Sequence, residues 1–476
     1  MIRISSRRSS AVEKCSRIGL CVILAAGLLR GQAHVAALPE KEIDRRLELG
    51  GFGPVPNLAI SVPPLHRLRN GATLFRVPAE PFPLVSLAIA FRDARFPTVA
   101  GNGSLTAAIG TALIREQVRS IQTSTGKLGV KVDVNASVTS RHIIIRVSGL
   151  DANFAAWGKI VISGFCDADL PASSIERAIS ETKNSSQRDP DSLATDFLVN
   201  ALYGVPLTND KSDWPDAEAV HRWYKSRISP RNMLIGSSGG DIRVLLDAAK
   251  ACTGIPYANS PAGVSITQKH GNMWIIDKPG SLQTRFVMAA LTVGQDSPQW
   301  PAILLMNQIL DSRLYSRIRS ARGLSYDVSS RIAYHAKGNP LIIGAGVQLE
   351  NSRKFTEALQ QELSEMASTP VPARELEKAK QALLAGFALS YDGVSNRLNL
   401  LLTSVLAGVS TNYWSELSAK VRRIAPIDLL NVSRTHLSAN SFIGVAVGNA
   451  RTLETLLADC GYTTTIVPNF HLAKPE

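Results

Sequence analysis

The sequence predicts an α+β protein made of two tandem homologous α/β-sandwich domains, each a mostly antiparallel sheet packed by helices. Three observations predict it. First, Pro230 to Asp241 and the helix pattern Ile242 to Cys252 repeat as Ala439 to Asn449 and Leu453 to Cys460. At an offset of 208, Asn232 matches Asn440, Ile235 matches Ile443, Gly236 matches Gly444, Gly240 matches Gly448 and Cys252 matches Cys460. Second, Pro171 to Lys183 matches Pro372 to Leu384 at an offset of 201, pairing Glu176-Arg177-Ala178 with Glu377-Lys378-Ala379. Third, each copy runs strands, then helices, then a final strand and helix, an order that does not indicate a doubly wound parallel sheet.

The chain has 476 residues, a net charge of +13 and 45% hydrophobic residues, as an ordinary globular protein with ample core. Residues 1–37 read as a signal peptide. Arg3, Arg7, Arg8, Lys14 and Arg17 make a basic start, Ile18 to Leu29 an apolar run, and Val35-Ala36-Ala37 a small-residue site with cleavage before Leu38. The run is too short to span a bilayer; retention as an uncleaved anchor is the competing reading. Without these residues the net charge falls to +8 with no compact basic run, so nucleic-acid binding is not expected. The expected location is the periplasm or the outside of a bacterial cell.

Residues 38–64 are the N-terminal leader, within which Glu40 to Leu58 is polar, loosely patterned and expected to cross the surface. The first domain, 65–256, opens with strands Gly71 to Val77 and Pro83 to Phe91. A loop with Gly101 and Gly103 leads to a helix, Leu105 to Arg115. Lys131 to Ser137 and His142 to Val147 alternate as a hairpin. Helices follow over Asn153 to Phe165, Ala172 to Gln187, Asp191 to Leu202 and Ala217 to Ile228. Residues 257–268 are the linker and 269–476 the second domain. Cys166, Cys252 and Cys460 are an odd number after the signal, so they are expected to be isolated, mostly buried thiols.

Within the second domain, Leu310, Leu314 and Ile318 recur at helical spacing up to Gly323, a helix stop. Leu324, Tyr326 and Val328 then alternate with Ser325, Asp327 and Ser329 as a strand. The short connection brings Arg319 and Tyr326 near each other. A guanidinium and a phenol in one cleft bind a peptide carbonyl and stabilise an oxyanion developing there. In the opposite reading, Arg319 complements the helix dipole and Tyr326 is core.

On these residues the chain resembles the pitrilysin/insulinase-type zinc peptidases, in the short processing-peptidase branch, over about residues 65–465. Pro83-Leu84-Val85-Ser86-Leu87 is similar to the family's first core strand, and Gly129 with Asn135-Ala136 to its Gly…Asn-Ala strand. Asp277-Lys278-Pro279-Gly280-Ser281-Leu282-Gln283-Thr284 is similar to the opening of the second copy, and Arg319 to Tyr326 to the Arg/Tyr motif. The resemblance implies an H-x-x-E-H zinc helix in the first domain. Aligned on Gly101, the three essential positions hold Ser104, Ala107 and Ala108, and no histidine lies between His66 and His142. Glu176 and Glu181, on the helix where the family keeps a distal ligand, read as surface carboxylates.

What the resemblance then implies is a zinc-less, non-catalytic subunit that holds no metal itself. A homologous partner chain would bear the zinc, and this chain would supply Arg319 and Tyr326 to a peptide substrate between them. The alternative is a structural or peptide-binding homologue with no peptidase complex. Pro301 to Arg322 contains no glycine and has a short turn at Asp311-Ser312, unlike the glycine-rich loop of the mitochondrial non-catalytic subunit. A presequence-type substrate is therefore not implied. Asn135-Ala136 reads either as an edge that pairs with extended peptide or as ordinary sheet.

Overall fold

The computed structural model describes residues 60, 62–79, 82–92, 103–138, 142–166, 170–184, 194–195, 197–198, 201–202, 216–253, 271–333, 338–410, 412–438 and 441–467. The signal peptide, residues 38–59 of the leader and the linker 257–268 lie outside the described residues.

Two six-stranded sheets form the frame. The first contains β1 (His66–Arg67), β2 (Thr73–Val77), β3 (Leu84–Phe91), β4 (Val132–Val138), β5 (Ile143–Leu150) and β6 (Met233–Ser238) in the order β1-β2-β6-β3-β5-β4. The second contains β7 (Asn272–Asp277), β8 (Gln283–Leu291), β9 (Asp327–Ile332), β10 (Pro340–Gln348), β11 (Ile443–Gly448) and β12 (Thr463–Val467) in the order β12-β7-β11-β8-β10-β9. In each, a late strand enters the centre: β6 is parallel to β2 and antiparallel to β3, and β11 is parallel to β7 and antiparallel to β8. This is the expected duplication, and the sheets are mostly antiparallel.

One face of each sheet carries helices from its own half. On the first these are α1 (Gly103–Lys127), α2 (Phe154–Cys166), α3 (Ala172–Asn184), α4 (Ala217–Arg227) and α5 (Ile242–Lys250). The helix expected from Leu105 to Arg115 runs on to Lys127. Alternation in the strands sets this layer: Val85, Leu87, Ile89 and Phe91 point into it, with Ile143, Ile145 and Val147 from β5. On the second sheet the layer is α6 (Trp300–Arg313), α7 (Ser352–Ser368), α8 (Ala373–Leu389), α10 (Tyr413–Arg423), α11 (Pro426–His436) and α12 (Ala450–Asp459).

The other face of each sheet is covered from the opposite half. Leu398, Leu401, Leu402 and Val405 of α9 (Val394–Ala407) pack on Phe75, Val77, Ala88, Ala90, Ile144 and Leu234 of the first sheet. Ala194, Phe197, Leu198 and Leu202 pack on Val287, Ala289, Ile342, Val445 and Val447 of the second. The halves therefore exchange helices rather than simply following one another, and this second face is called the inner face below. Ile60 and Val62, near the end of the leader, are also buried in the α9 layer.

The repeat holds for the helices but is out by one in the strand. Ile235 points into the helical layer of its own half, whereas its match Ile443 is on the inner face. Ile235 pairs with Leu74 and Ile89, and the equivalent pairing of Gly444 is with Met273 and Met288. A one-residue slip reverses every side chain in a strand. The extra length sits between β6 and α5, where Gly239 and Gly240 both take positive φ.

Cys166 and Cys252 are not isolated thiols: they form a disulfide with their Cα atoms 5.1 Å apart. Cys166 ends α2, Cys252 lies two residues beyond α5, and the two helices pack together. An odd count requires only one unpaired thiol, and that is Cys460. The bridge closes a loop over a sequence separation of 86, so its reduction should lower stability by about 2–4 kcal/mol. Urea unfolding with and without reductant measures this; identical midpoints would exclude it.

Candidate functional site

Trp300 and Pro301 start α6, with proline in the first turn where no N–H is needed. The helix runs through Asp311 and Ser312, so no turn interrupts it there. At Leu314 the winding loosens, and Leu314–Ser320 is π-helical. Leu310, Leu314 and Ile318 are all buried, as their spacing predicts. Gly323 has φ +60°, and Leu324 N donates back to Ile318 O at 3.2 Å.

The strand then begins later than the alternation implies. β9 starts at Asp327, and it is Ser325 that turns inward, its Oγ donating to Gly346 O at 2.8 Å. Tyr326 is consequently 56% exposed rather than core. Its N–H donates to Gly346 O at 3.3 Å. A side-chain carbon on Gly346 would run into the phenol ring and Asp327 Oδ1, so Gly346 is the floor on which the ring lies.

Asp327 fixes this floor. Its Oδ1 accepts Gly346 N–H at 2.7 Å, and its Oδ2 accepts Arg285 Nη1. Arg285, Gly346 and Asp327 stand in one register row across β8, β10 and β9, with Val447 of the inner-face core beyond Arg285. The guanidinium crosses β10 close to Gly344. Two glycines two residues apart in a strand, Gly344 and Gly346, were the readable signal of a close approach. Arg285 and Asp327 carried no signal at all.

Arg319 is exposed at the end of the π-helical turns, its guanidinium 4.8 Å from the centre of the Tyr315 ring. Each of the two expected site residues thus has its own neighbour. Arg319 lies on Tyr315 and Tyr326 on Gly346, and among the described residues no hydrogen bond or ring contact joins the two.

Ser104, Ala107 and Ala108 fall in the first two turns of α1. One hydroxyl and two methyl groups cannot replace the imidazoles and carboxylate of a zinc centre. Glu176 and Glu181 are exposed on α3, and the neighbouring Arg177 pairs with Glu116 of α1 at 3.3 Å. Among the described residues no three His, Cys, Asp or Glu side chains gather to hold a metal ion. The residues at these positions do not fit zinc. Among the described residues, no helix is long and apolar enough to cross a membrane.

Residues 216–383, an interval that includes Arg319 and Tyr326, match the family described as the peptidase M16 inactive domain. No curated protein sequence matches significantly. Among solved structures, the chain is similar to a peptidase M16 inactive domain from Pseudomonas fluorescens, with 20% identity and a TM-score of 0.67 over 82% of this chain and 98% of that one. A protease from Helicobacter pylori gives 13% and 0.68 over 82% and 100%. A chain of complex III2 from Candida albicans gives 14% and 0.65 over 84% and 100%. At such identities these likenesses establish the fold, and residues 216–383 match the family described as the peptidase M16 inactive domain.

Proposed function

We propose that this chain is the non-catalytic, substrate-binding subunit of a two-chain zinc peptidase of the bacterial envelope. A homologous partner bears the zinc, and this chain presents Tyr326 to the peptide. The observation that carries the reading is the phenol itself: exposed, on the inner face, with glycine beneath it and Asp327 holding that glycine's N–H. A phenolic O–H so placed can donate to a substrate carbonyl oxygen as it gains charge. Arg319, at the end of the same segment, binds the peptide backbone or assists the same oxygen. The envelope location is supported by the basic and apolar start of the chain and by the Cys166–Cys252 bridge, which persists in oxidising compartments.

One observation favours the alternative of a structural or peptide-binding homologue. Arg319 stacks on Tyr315 instead of joining Tyr326. Reconstitution separates the two. The isolated chain should carry negligible zinc by elemental analysis and hydrolyse no quenched-fluorescent peptide. Added to a homologous chain with an intact H-x-x-E-H, it should raise hydrolysis at least tenfold. Stoichiometric, tightly held zinc in this chain, or a partner equally active without it, overturns the proposal.

A further inference from the structure

We propose that β12 is an association edge, at which two copies of this chain pair their β12 strands antiparallel about a twofold axis. β12 is the outer strand of the second sheet and pairs with β7, in parallel. Thr463 N–H donates to Gly271 O at 3.1 Å. Bonding alternates along a parallel ladder, so Thr463, Thr465 and Val467 direct their backbone groups to β7. The N–H and C=O groups of Thr464 and Ile466 point outwards, and among the described residues no strand lies there to meet them. The side chains leave the edge accessible as well: Thr463, Thr465 and Ile466 are exposed, Ile466 by 42%.

An open edge is a template for another strand, and proteins block it with charge, proline or brevity. The other three edges of the two sheets are blocked in this way. β1, at the equivalent place in the first sheet, is two residues long and carries Arg67. β4 carries Asp133, and β9 carries Asp327 and Arg331. β12 reads Thr-Thr-Thr-Ile-Val, with no charge and a β-branched side chain at every position. The duplication makes this edge twice and guards it once.

The occupant that fits is a second copy, because the strand is complementary to itself. Centred on Thr465, antiparallel pairing sets Thr464 of one copy opposite Ile466 of the other. Their outward backbone groups then exchange both hydrogen bonds on each side of the axis. Thr463 faces Val467, and Thr465 faces its own counterpart. Every pair is β-branched, and no like charges meet. The twofold axis closes the contact as a dimer rather than a filament. A strand of 5 residues buries little surface. The dimer is therefore weak and reversible, with a Kd of about 10–100 μM. Tyr326 stands just before β9, at the opposite edge of the sheet, so the pairing does not depend on the role given to it.

Sedimentation velocity on the full chain, from about 1 μM to about 500 μM, tests this. The parent should pass from monomer to dimer across that range. Thr465→Lys and Thr465→Glu each set like charges against one another at the axis, and each should raise the Kd about tenfold or more. Mixed in equal amounts, the two variants should form a heterodimer at least as tight as the parent dimer. Thr465 is exposed, so both should keep the melting temperature of the parent. Hydrogen exchange reads the same contact without mutation: the Thr463–Val467 segment should exchange more slowly as the parent is concentrated.

A parent that stays monomeric at the highest concentration, association that survives in both variants, or a mixture that fails to dimerise overturns the proposal. So does a monomeric parent whose edge takes up a Thr/Val strand peptide, which marks a different occupant. A failed reconstitution of peptidase activity has no bearing on it, and its own failure leaves the role of Tyr326 standing.

Discussion

Arg313→Met is expected to cost about 3–5 kcal/mol of folding free energy, because it strips a buried carboxylate of one of its two charge partners and frees the bidentate grip on a second carboxylate. Arg313 is the last residue of α6, and its side chain is 7% exposed. Nε and Nη2 grip both oxygens of Glu375 on α8 at 2.8 and 2.7 Å, and Nη1 donates to Glu362 on α7 at 3.2 Å. Arg317, one turn on, donates to Glu362 at 3.0 Å and Glu365 at 2.9 Å. Burial pulls the Arg313 guanidinium down, but Glu375 and Glu362 outweigh it and the net shift is upward. Glu362 has its side chain 6% exposed, so without Arg313 it keeps only Arg317. The double variant Arg313→Met with Glu362→Leu should regain more than half of the loss, since the under-compensated buried charge is then gone and Arg317 keeps Glu365. Urea unfolding of the parent and both variants measures this. A single variant within 1 kcal/mol of the parent would rule out a structural role for the cluster. Acid should act on the same cluster. The hydrogen bond from Arg317 holds Glu365 below its usual value, so its contribution is complete above the ordinary carboxylate range and is lost as pH falls through the lowered value.

That cluster illustrates what the sequence hides. Leu310, Leu314 and Ile318 announced a buried helical stripe through their spacing, and they are buried. Glu362 sits in an amphipathic helix where a glutamate reads as solvent-facing; it is buried only because Arg313 and Arg317 reach it from another element. Periodicity reports a segment's own face and nothing about which distant side chain arrives there. The same limit governs the disulfide, whose cysteines meet because α2 packs on α5, and the exchange of helices, since Leu398, Leu401 and Leu402 show only that α9 has an apolar face. The start of the strand at Tyr326 was misplaced for a different reason. The alternating letters Leu324 to Ser329 look like one strand, but hydrogen bonding begins at Asp327, and Ser325 finds a buried acceptor in Gly346 O that a bare hydropathy pattern cannot register. The candidate segment stood out in the sequence as a motif. Its geometry did not, because the contacts that build it come from β8 and β10.

Tyr326→Phe should lower kcat of the reconstituted two-chain peptidase about 10²–10³-fold and leave KM nearly unchanged, the size of effect found when one donor to a developing oxyanion is removed. Only the hydroxyl is lost, and the ring is exposed, so stability should hold to within about 0.5 kcal/mol. Gly346→Ala tests the same oxygen from beneath. The new methyl group would occupy the space of the phenol ring, and an exposed tyrosine can escape only outwards, away from its floor. The hydroxyl is then present but displaced, and activity should fall as far as in Tyr326→Phe. Combining the two should add little, because both remove one interaction. Arg319→Ala should act differently: a guanidinium resting on Tyr315 reaches substrate only after leaving that ring, so its loss should raise KM more than it lowers kcat. If Tyr326→Phe and Arg319→Ala both retain activity within threefold of the parent complex, neither side chain meets the peptide. The exposed phenol would then be a feature of the fold with no part in hydrolysis.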